Sequence, residues 1–344
     1  MDEFSGTQQV SLRTMARRMN VAVSTVSRAL AGDPRISSER AAEIRDLADR
    51  LGYRPRPLRR RRANAIALII ASQKEGVADD LYQQLVTLHV EQASSEFQNH
   101  VHVEFVLRHG AAAYPSVLRE NRVDGVILAG HPSVELCQRV REEGIPVVVL
   151  NDTVRRTGCT SVITDFVPGT SEAVCRLVEL GHWSIGFVAS RREYPSVGLR
   201  LEAYQRVLAD CGLDAEDTLV VEGFGGGVAA GREGVRELLR REPPPTAIVF
   251  TNDWMAIGGM NELMRQGYRV PEDMSLVGHD NVSLCDELEP ALTSVDGGVE
   301  ELTKMGVELL QEQIEGHSDA PVQERVPGRL VWRDSCTQAR RQEL

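Results

Sequence analysis

Residues 10–30, VSLRTMARRMNVAVSTVSRAL, decide how this chain is to be read. Leu12, Met15, Ala16 and Met19 recur at i, i+3, i+4 and i+7 behind a Ser11 N-cap, which predicts a short amphipathic helix that Asn20 ends. Val26 and Leu30 stand four apart and predict a second helix over about Val23 to Ala31, with Ser24, Thr25, Ser27 and Arg28 turned outward. Only Asn20 to Ala22 join the two, and so short a turn forces the sharp interhelical angle that pushes a second helix into a DNA major groove. A third helix starts at a Ser37 cap, turns Ile44, Leu47, Ala48 and Leu51 inward, and stops at Gly52. Small hydroxyls permit close approach to base edges, and Arg28 can fork onto guanine or a phosphate. The same pattern also fits a three-helix bundle that binds nothing.

Charge separates the two readings. The chain has 344 residues and a formal net charge of −11. Its first 62 residues hold 14 Arg, no Lys and 7 acidic side chains, a net of +7, so the remainder carries −18. A basic end attracts phosphate while an acidic body repels it, which confines the expected polyanion contact to the first sixty residues. The length exceeds what one core fills, so two or three domains are expected. No apolar run approaches the roughly 20 residues that cross a bilayer. Residues 1–9 lack the basic and apolar segments of an export signal, so the expected location is the cytoplasm. Six scattered cysteines, without a Cys-x-x-Cys pair or zinc-finger histidines, point to buried free thiols, with no metal and no cofactor.

From Ala65 the pattern changes to short apolar, β-branched runs separated by helical stretches. The runs are 65–70, 101–107, 125–128, 146–150, 161–163, 184–188, 219–221, 247–250 and 275–277. Strand alternating with helix predicts parallel, doubly wound α/β units, and nine strands suit two sheets better than one. Ligands of such sheets bind beyond the carboxyl ends of the strands. There the sequence places Asn151-Asp152, Thr164-Asp165, Ser190-Arg191, Glu222 to Phe224, Thr251 to Trp254 and Gly278 to Asn281. Carboxylates and amides bind vicinal hydroxyls, Arg200 can donate a fork, and Phe224 or Trp254 can cover a sugar face, so the chemistry suits a small polyol. Asp152, Asn252 and Asp253 fit helix N-caps equally well. The glycine-rich 223–227 lacks the spacing of a phosphate or dinucleotide loop, and neither His182 nor His279 stands beside a nucleophile elbow, so no catalytic residues are assigned.

Residues 10–30, followed by Ile36-Ser37, Arg40 and Leu51-Gly-Tyr-Arg-Pro55, resemble the headpiece of the lactose/galactose/purine repressor (LacI/GalR) family; Ser24 to Leu30 is the most specific part. The likeness continues through Val123-Asp-Gly-Val-Ile127, Leu180 to Gly186, Arg200 to Tyr204, Thr251 to Gly258, Val270 to Asp280 and Pro290 to Val295, the last matching the crossing back toward the N-terminal lobe. The resemblance implies a helix-turn-helix headpiece over 1–56, a basic linker over 57–64 and an effector-binding core over 65–344. That core is an α/β fold of two doubly wound parallel-sheet lobes, periplasmic-binding-protein-like: an N-lobe of about 65–164 and 296–322, and a C-lobe of about 165–290 and 323–336. By the same resemblance Val23, Ser24 and Arg28 read bases and Ser11 and Thr25 hold phosphates, with Arg35, Tyr53, Leu58, Arg59, Arg60, Arg61 and Arg62 completing the DNA-facing set. Asn151, Asp165, Arg200, Phe224, Asn252 and Asp280 become the effector contacts. The implied partners are pseudo-palindromic operator DNA, a sugar or related polar metabolite, and a second copy of the chain. The implied role is transcriptional repression.

Three places depart from the family pattern. Ala22 stands where a Ser or Thr cap is usual, at a cost of about 1 kcal/mol. The linker looks about one helical turn short. It offers Leu58 as its one large apolar wedge beside Arg59 to Arg62, so four arginines in a narrow, A·T-rich minor groove take over the expected reading there. Residues 79–82, Asp-Asp-Leu-Tyr, replace the usual Asn-Pro-Phe-Phe, so the ligand cannot be borrowed from a relative. The tail after Ser335 has no heptads, which favours a dimer over a coiled-coil tetramer. Two other classes remain open: an exported binding receptor with the same core, and an enzyme acting on a sugar or nucleoside.

Overall fold

The computed structural model describes residues 12–30, 36–50, 63–72, 81–107, 114–120, 122–190, 195–213, 219–222, 225–316 and 320–340. The chain divides into two compact units, Met1–Ala63 and Asn64–Leu344. In the first, α1 (Leu12–Met19), α2 (Val23–Leu30) and α3 (Ser38–Arg50) enclose Met15, Ala16, Val26, Ala29, Ala41, Ile44 and Ala48. The turn between α1 and α2 depends on Asn20, which takes a left-handed φ of 52° that few residues other than Gly and Asn accept, and on the amide of Val21 donating to Ala16. Ser37 caps α3 by accepting from the amide of Arg40, and the Arg40 guanidinium reaches back to the carbonyl of Met19 at the end of α1.

The second unit opens with β1 (Ala65–Ser72), α4 (Leu81–Glu96), β2 (His100–Leu107), α5 (Ser116–Arg119) and β3 (Gly125–Gly130). It continues through α6 (Val134–Glu142), β4 (Val147–Leu150), α7 (Val154–Thr157) and β5 (Thr160–Asp165). Next come α8 (Val167–Glu179), β6 (Ile185–Ala189), α9 (Pro195–Asp210), β7 (Val220–Glu222), α10 (Val228–Leu238), β8 (Ala247–Phe250), α11 (Asp253–Arg265) and β9 (Ser275–His279). The last elements are α12 (Leu284–Glu287), β10 (Thr293–Asp296), α13 (Val299–Glu315), β11 (Gln323–Pro327) and β12 (Arg329–Val331). Two six-stranded sheets result, ordered β11-β5-β4-β3-β1-β2 and β12-β10-β9-β8-β6-β7. Within them only the β10–β12 pair is antiparallel. Both sheets wind outward from a central strand, so the winding reverses between β1 and β3 and again between β6 and β8, the places at whose carboxyl ends doubly wound sheets bind ligands.

The central strands of each sheet are buried on both faces, which is why they read as apolar runs. Ile66, Leu68 and Ile70 of β1 face α4 and α13, whereas Ala67 and Ile69 face α5 and α6. In the second sheet Ile248 and Phe250 face α10 and α11, and Val249 faces α8 and α9. The chain crosses between the sheets three times among the described residues: from β5 into α8 at 165–167, from β10 into α13 at 296–299, and from β11 to β12 at Gly328.

The nine expected strands are present, and three more join them. The segment 290–295, expected as a crossing, instead contributes β10 to the second sheet beside β9, and the crossing comes after Asp296. Its buried Thr293 and Ser294 do not look like an apolar run because their polar groups are met inside, Ser294 by Asp253 and the Thr293 amide by Ser335. Residues 323–327, expected in the C-lobe, form β11 on the edge of the first sheet against β5, so the lobe boundary moves to Gly328.

Helices α10 and α11 approach closely at two glycines: a Cβ on Gly231 would stand 1.9 Å from the carbonyl oxygen of Met255, and one on Gly258 2.0 Å from that of Val228. Alanine is the better helix former by about 1 kcal/mol, but here it must push one helix backbone off the other. Gly258→Ala is therefore expected to destabilise the core unit by about 1–3 kcal/mol in urea unfolding; an unchanged or raised midpoint would show that the helices can separate freely.

Candidate functional site

Of the expected effector residues, Asn151, Asp165, Asn252 and Asp280 lie at the carboxyl ends of β4, β5, β8 and β9, and Arg200 reaches the last two from α9. Arg200, from the second turn of α9, is 6% exposed. Its Nη1 donates to the carbonyl of Thr251 just beyond β8, and its Nη2 stands 3.4 Å from Asp280 Oδ1 beyond β9. The guanidinium carbon lies 3.7 Å from the centroid of the Phe166 ring, and the buried Nε has no hydrogen-bond partner among the described residues. Burial pulls the Arg200 pKa down, and the charge of Asp280 works against that pull. Asp280 itself sits at φ 98°, held there by its amide donating to Val295.

On the first sheet Asn151 follows β4 at φ 58°. Its Oδ1 accepts from the Thr164 amide and its Nδ2 donates to the Tyr82 hydroxyl at 2.5 Å, which ties β4, β5 and the start of α4 together. Asp165, at the first crossing, accepts from the Val167 amide, and its carbonyl accepts from the Gly328 amide at the third. Its carboxylate is 3.9 Å from Arg325.

Three strand-end residues are occupied by the fold. Asn252 caps α11 through the Met255 amide and donates from Nδ2 to the Gly226 carbonyl, so both ends of its side chain are engaged. Asp253 is buried and accepts from the Val282 amide and the Ser294 hydroxyl. Asp152 forms an ion pair with Arg156. Trp254 packs against the core between α10 and α11. Phe224 lies outside the described residues. Phe166 was invisible to sequence reading because it looks like the first apolar residue of a helix; Tyr82 was noticed only as a departure.

Of the DNA-facing set, Val23, Ser24, Thr25 and Arg28 lie on α2, and Thr25 is half-buried with its amide donating to Ala22. Ser11, Arg35, Tyr53, Leu58 and Arg59 to Arg62 lie outside the described residues. The two histidines have structural partners. His182 sits between Thr246 and the carbonyl of Thr337. His279 Nδ1 donates to the Phe250 carbonyl, and Thr170 meets Nε2. No helix among the described residues is long and apolar enough to cross a membrane.

A helix-turn-helix head and a two-sheet α/β core with polar residues at the strand ends define a DNA-binding transcriptional regulator rather than an enzyme. Residues 11–56 match the model of bacterial regulatory proteins of the lacI family, and residues 174–336 match a periplasmic binding protein-like domain. The chain is 30% identical to the "Probable HTH-type transcriptional repressor ExuR" of Bacillus subtilis (strain 168), over 88% of this chain and 90% of that one. It is also 30% identical to the HTH-type transcriptional regulator CelR of Thermobifida fusca, over 94% and 98%. A solved complex of CelR with cellobiose superposes with a TM-score of 0.70 at 26% identity, covering 95% of this chain and all of that one. The lac repressor dimer on its operator shares the fold, with a TM-score of 0.69 at 22% identity over 96% and 100%. The chain belongs to the lacI family of bacterial regulatory proteins.

Burial holds the His279 pKa well below the ordinary imidazole value, and the charge of Arg200 adds to it. Burial also lowers that of His182. A histidine lowered in the fold binds its proton more readily once unfolded, so its contribution is present above the unfolded value of about 6.5 and is lost as pH falls below it. Asp253, raised by burial to about 6, acts in the opposite sense, but only as pH falls from there toward its unfolded value. Between pH 7.5 and 6.0 the histidines dominate, and the urea midpoint is expected to fall. The fall should be smaller in His279→Gln, whose amide can still donate to Phe250 and accept from Thr170; equal falls in both proteins would contradict the assignment.

Proposed function

We propose that this regulator is a cytoplasmic homodimer whose paired headpieces bind a pseudo-palindromic operator and whose core binds a small polyol, a sugar or a related polar metabolite, that changes operator affinity. The observation that carries the reading is the buried Arg200, held at the ends of β8 and β9 with Asp280 beside it. A cleft bordered by a guanidinium, two carboxylates and an amide suits vicinal hydroxyls. Asn151, Asp165, Arg200, Phe224, Asn252 and Asp280 are the proposed contacts, Asn252 also capping α11 at the corner after β8. The complex of CelR with cellobiose supports a sugar-class ligand.

The DNA-facing residues are Ser11, Val23, Ser24, Thr25, Arg28, Arg35, Tyr53 and the linker from Leu58 to Arg62. The working units are the headpiece, 1–56, the linker, 57–64, and the core, 65–344. Dimerisation is supported by the edge strand β2, whose Val103 and Phe105 are exposed on one face, and by exposed Leu88 of α4. One headpiece contacts too little DNA for tight specific binding, whereas two read half-sites about one helical turn apart.

Selection from a random duplex library with the full-length protein is expected to return a palindromic motif; recovery of no motif would defeat the reading. On the selected duplex, Arg28→Ala should cost about 1–3 kcal/mol and relax preference at one base pair per half-site. Replacing Arg59 to Arg62 with Gln should instead weaken all duplexes and flatten the dependence of binding on salt. If those two effects were exchanged, the division between base reading by α2 and phosphate contact by the linker would be wrong. Screened by melting temperature against a panel of sugars and sugar acids, the wild type should be stabilised by at least one compound that leaves Asp280→Asn unshifted.

A further inference from the structure

Phe166 stands where the cleft meets the chain crossings. It is 3% exposed and follows Asp165 directly at the first crossing. One face of its ring carries the Arg200 guanidinium, with 3.7 Å between the guanidinium carbon and the ring centroid. Its edge meets the second crossing, since a Cβ on Gly297 would come within 3.0 Å of Phe166 Cζ. The third crossing touches its backbone: a Cβ on Gly328 would stand 3.3 Å from Phe166 Cα, and the Gly328 amide donates to Asp165 beside it. The His279 ring approaches edge-on with centroids 5.7 Å apart.

Two facts distinguish this position from ordinary core. First, the group stacked on the ring is charged, and its Nε is unmatched, so the ring supplies attraction that hydrogen bonds leave incomplete. Second, the segments around it pack closely: the Thr164 hydroxyl donates to the Gly297 carbonyl at 2.9 Å, and a Cβ at Gly297 or Gly328 would press on its neighbours at 3.0–3.3 Å. Close-packed interfaces of this kind shift between discrete arrangements rather than yielding gradually. The Arg200 guanidinium and Gly297 thus contact the same ring, so a shift of the guanidinium is felt at the second crossing through Phe166.

We propose that Phe166 is the positioning residue that couples Arg200 to all three crossings, so that ligand contact at Arg200 alters how the two sheets are joined. The proposal rests on the reading of Arg200 as an effector contact. It predicts that Phe166 and Arg200 act as one unit, whereas a ring that merely fills space would act independently.

The test is amide hydrogen exchange on the full-length protein, with neither DNA nor effector present, comparing wild type, Arg200→Met, Phe166→Leu and the double variant. In the segments 293–300 and 326–331, Arg200→Met should speed exchange by about fivefold or more, and in the Phe166→Leu background it should add less than about twofold. Two results would overturn the proposal: Arg200→Met leaving both segments unchanged, or the two substitutions multiplying their effects. If Phe166→Leu does not fold, Phe166→Met replaces it, and the Arg200→Met comparison alone still decides whether the crossings respond to the guanidinium. Because no duplex is involved, a negative result alongside a successful operator selection removes only this coupling, whereas a failed selection removes the functional reading whatever the exchange shows.

Discussion

Withdrawing a guanidinium from water is tolerable only where its charge and its N–H donors are met, and Arg200 imposes that condition on much of the core. Its partners come from separate parts of the chain: the Thr251 carbonyl at the end of β8, the Asp280 carboxylate at the end of β9, and the Phe166 ring at the first crossing. Asp280 offers its carboxylate there from a backbone at positive φ, which the hydrogen bond its amide donates to the Val295 carbonyl of β10 helps to hold. One side chain therefore ties together two strand ends and a crossing.

The distribution of charge assigns the other half of the work. An arginine-rich first sixty residues and an acidic remainder direct phosphate to the head and keep it off the core. The core can then be specialised for a small neutral or weakly charged molecule, using carboxylates that would be a liability beside DNA. The two sheets are joined at three points, with a glycine packed against the Phe166 ring at one of them and a glycine packed against backbone at another.

Much of this was legible in the sequence, for reasons that also explain what was not. Strands such as β1 and β8 are buried on both faces, so they stand out as unbroken apolar runs. The headpiece is legible because Met15, Ala16, Val26 and Ile44 keep helical spacing in elements too short to tolerate exceptions. β10 escaped because Thr293 and Ser294 are satisfied by buried Ser335 and Asp253, and β11 because an edge strand with Val326 as its buried residue needs little apolar character. In the site, Arg200, Asp280 and Asn151 were visible as polar residues at or near strand ends. Asn252 shows the limit of that logic, since a strand-end amide is equally a helix cap and here its amide is used by the protein itself. Phe166 shows another limit, because its importance lies in what touches it from distant parts of the chain.

The central claim, that occupancy of the core and operator binding by the head are linked, is tested most directly by measuring one ligand's dissociation constant twice, by calorimetry, with the protein free and with the protein saturated by its selected duplex. Linkage requires the two constants to differ by the same factor by which that ligand changes duplex affinity, typically about 5- to 150-fold. Two identical constants, for a ligand that binds at the Arg200 cleft, would contradict the account.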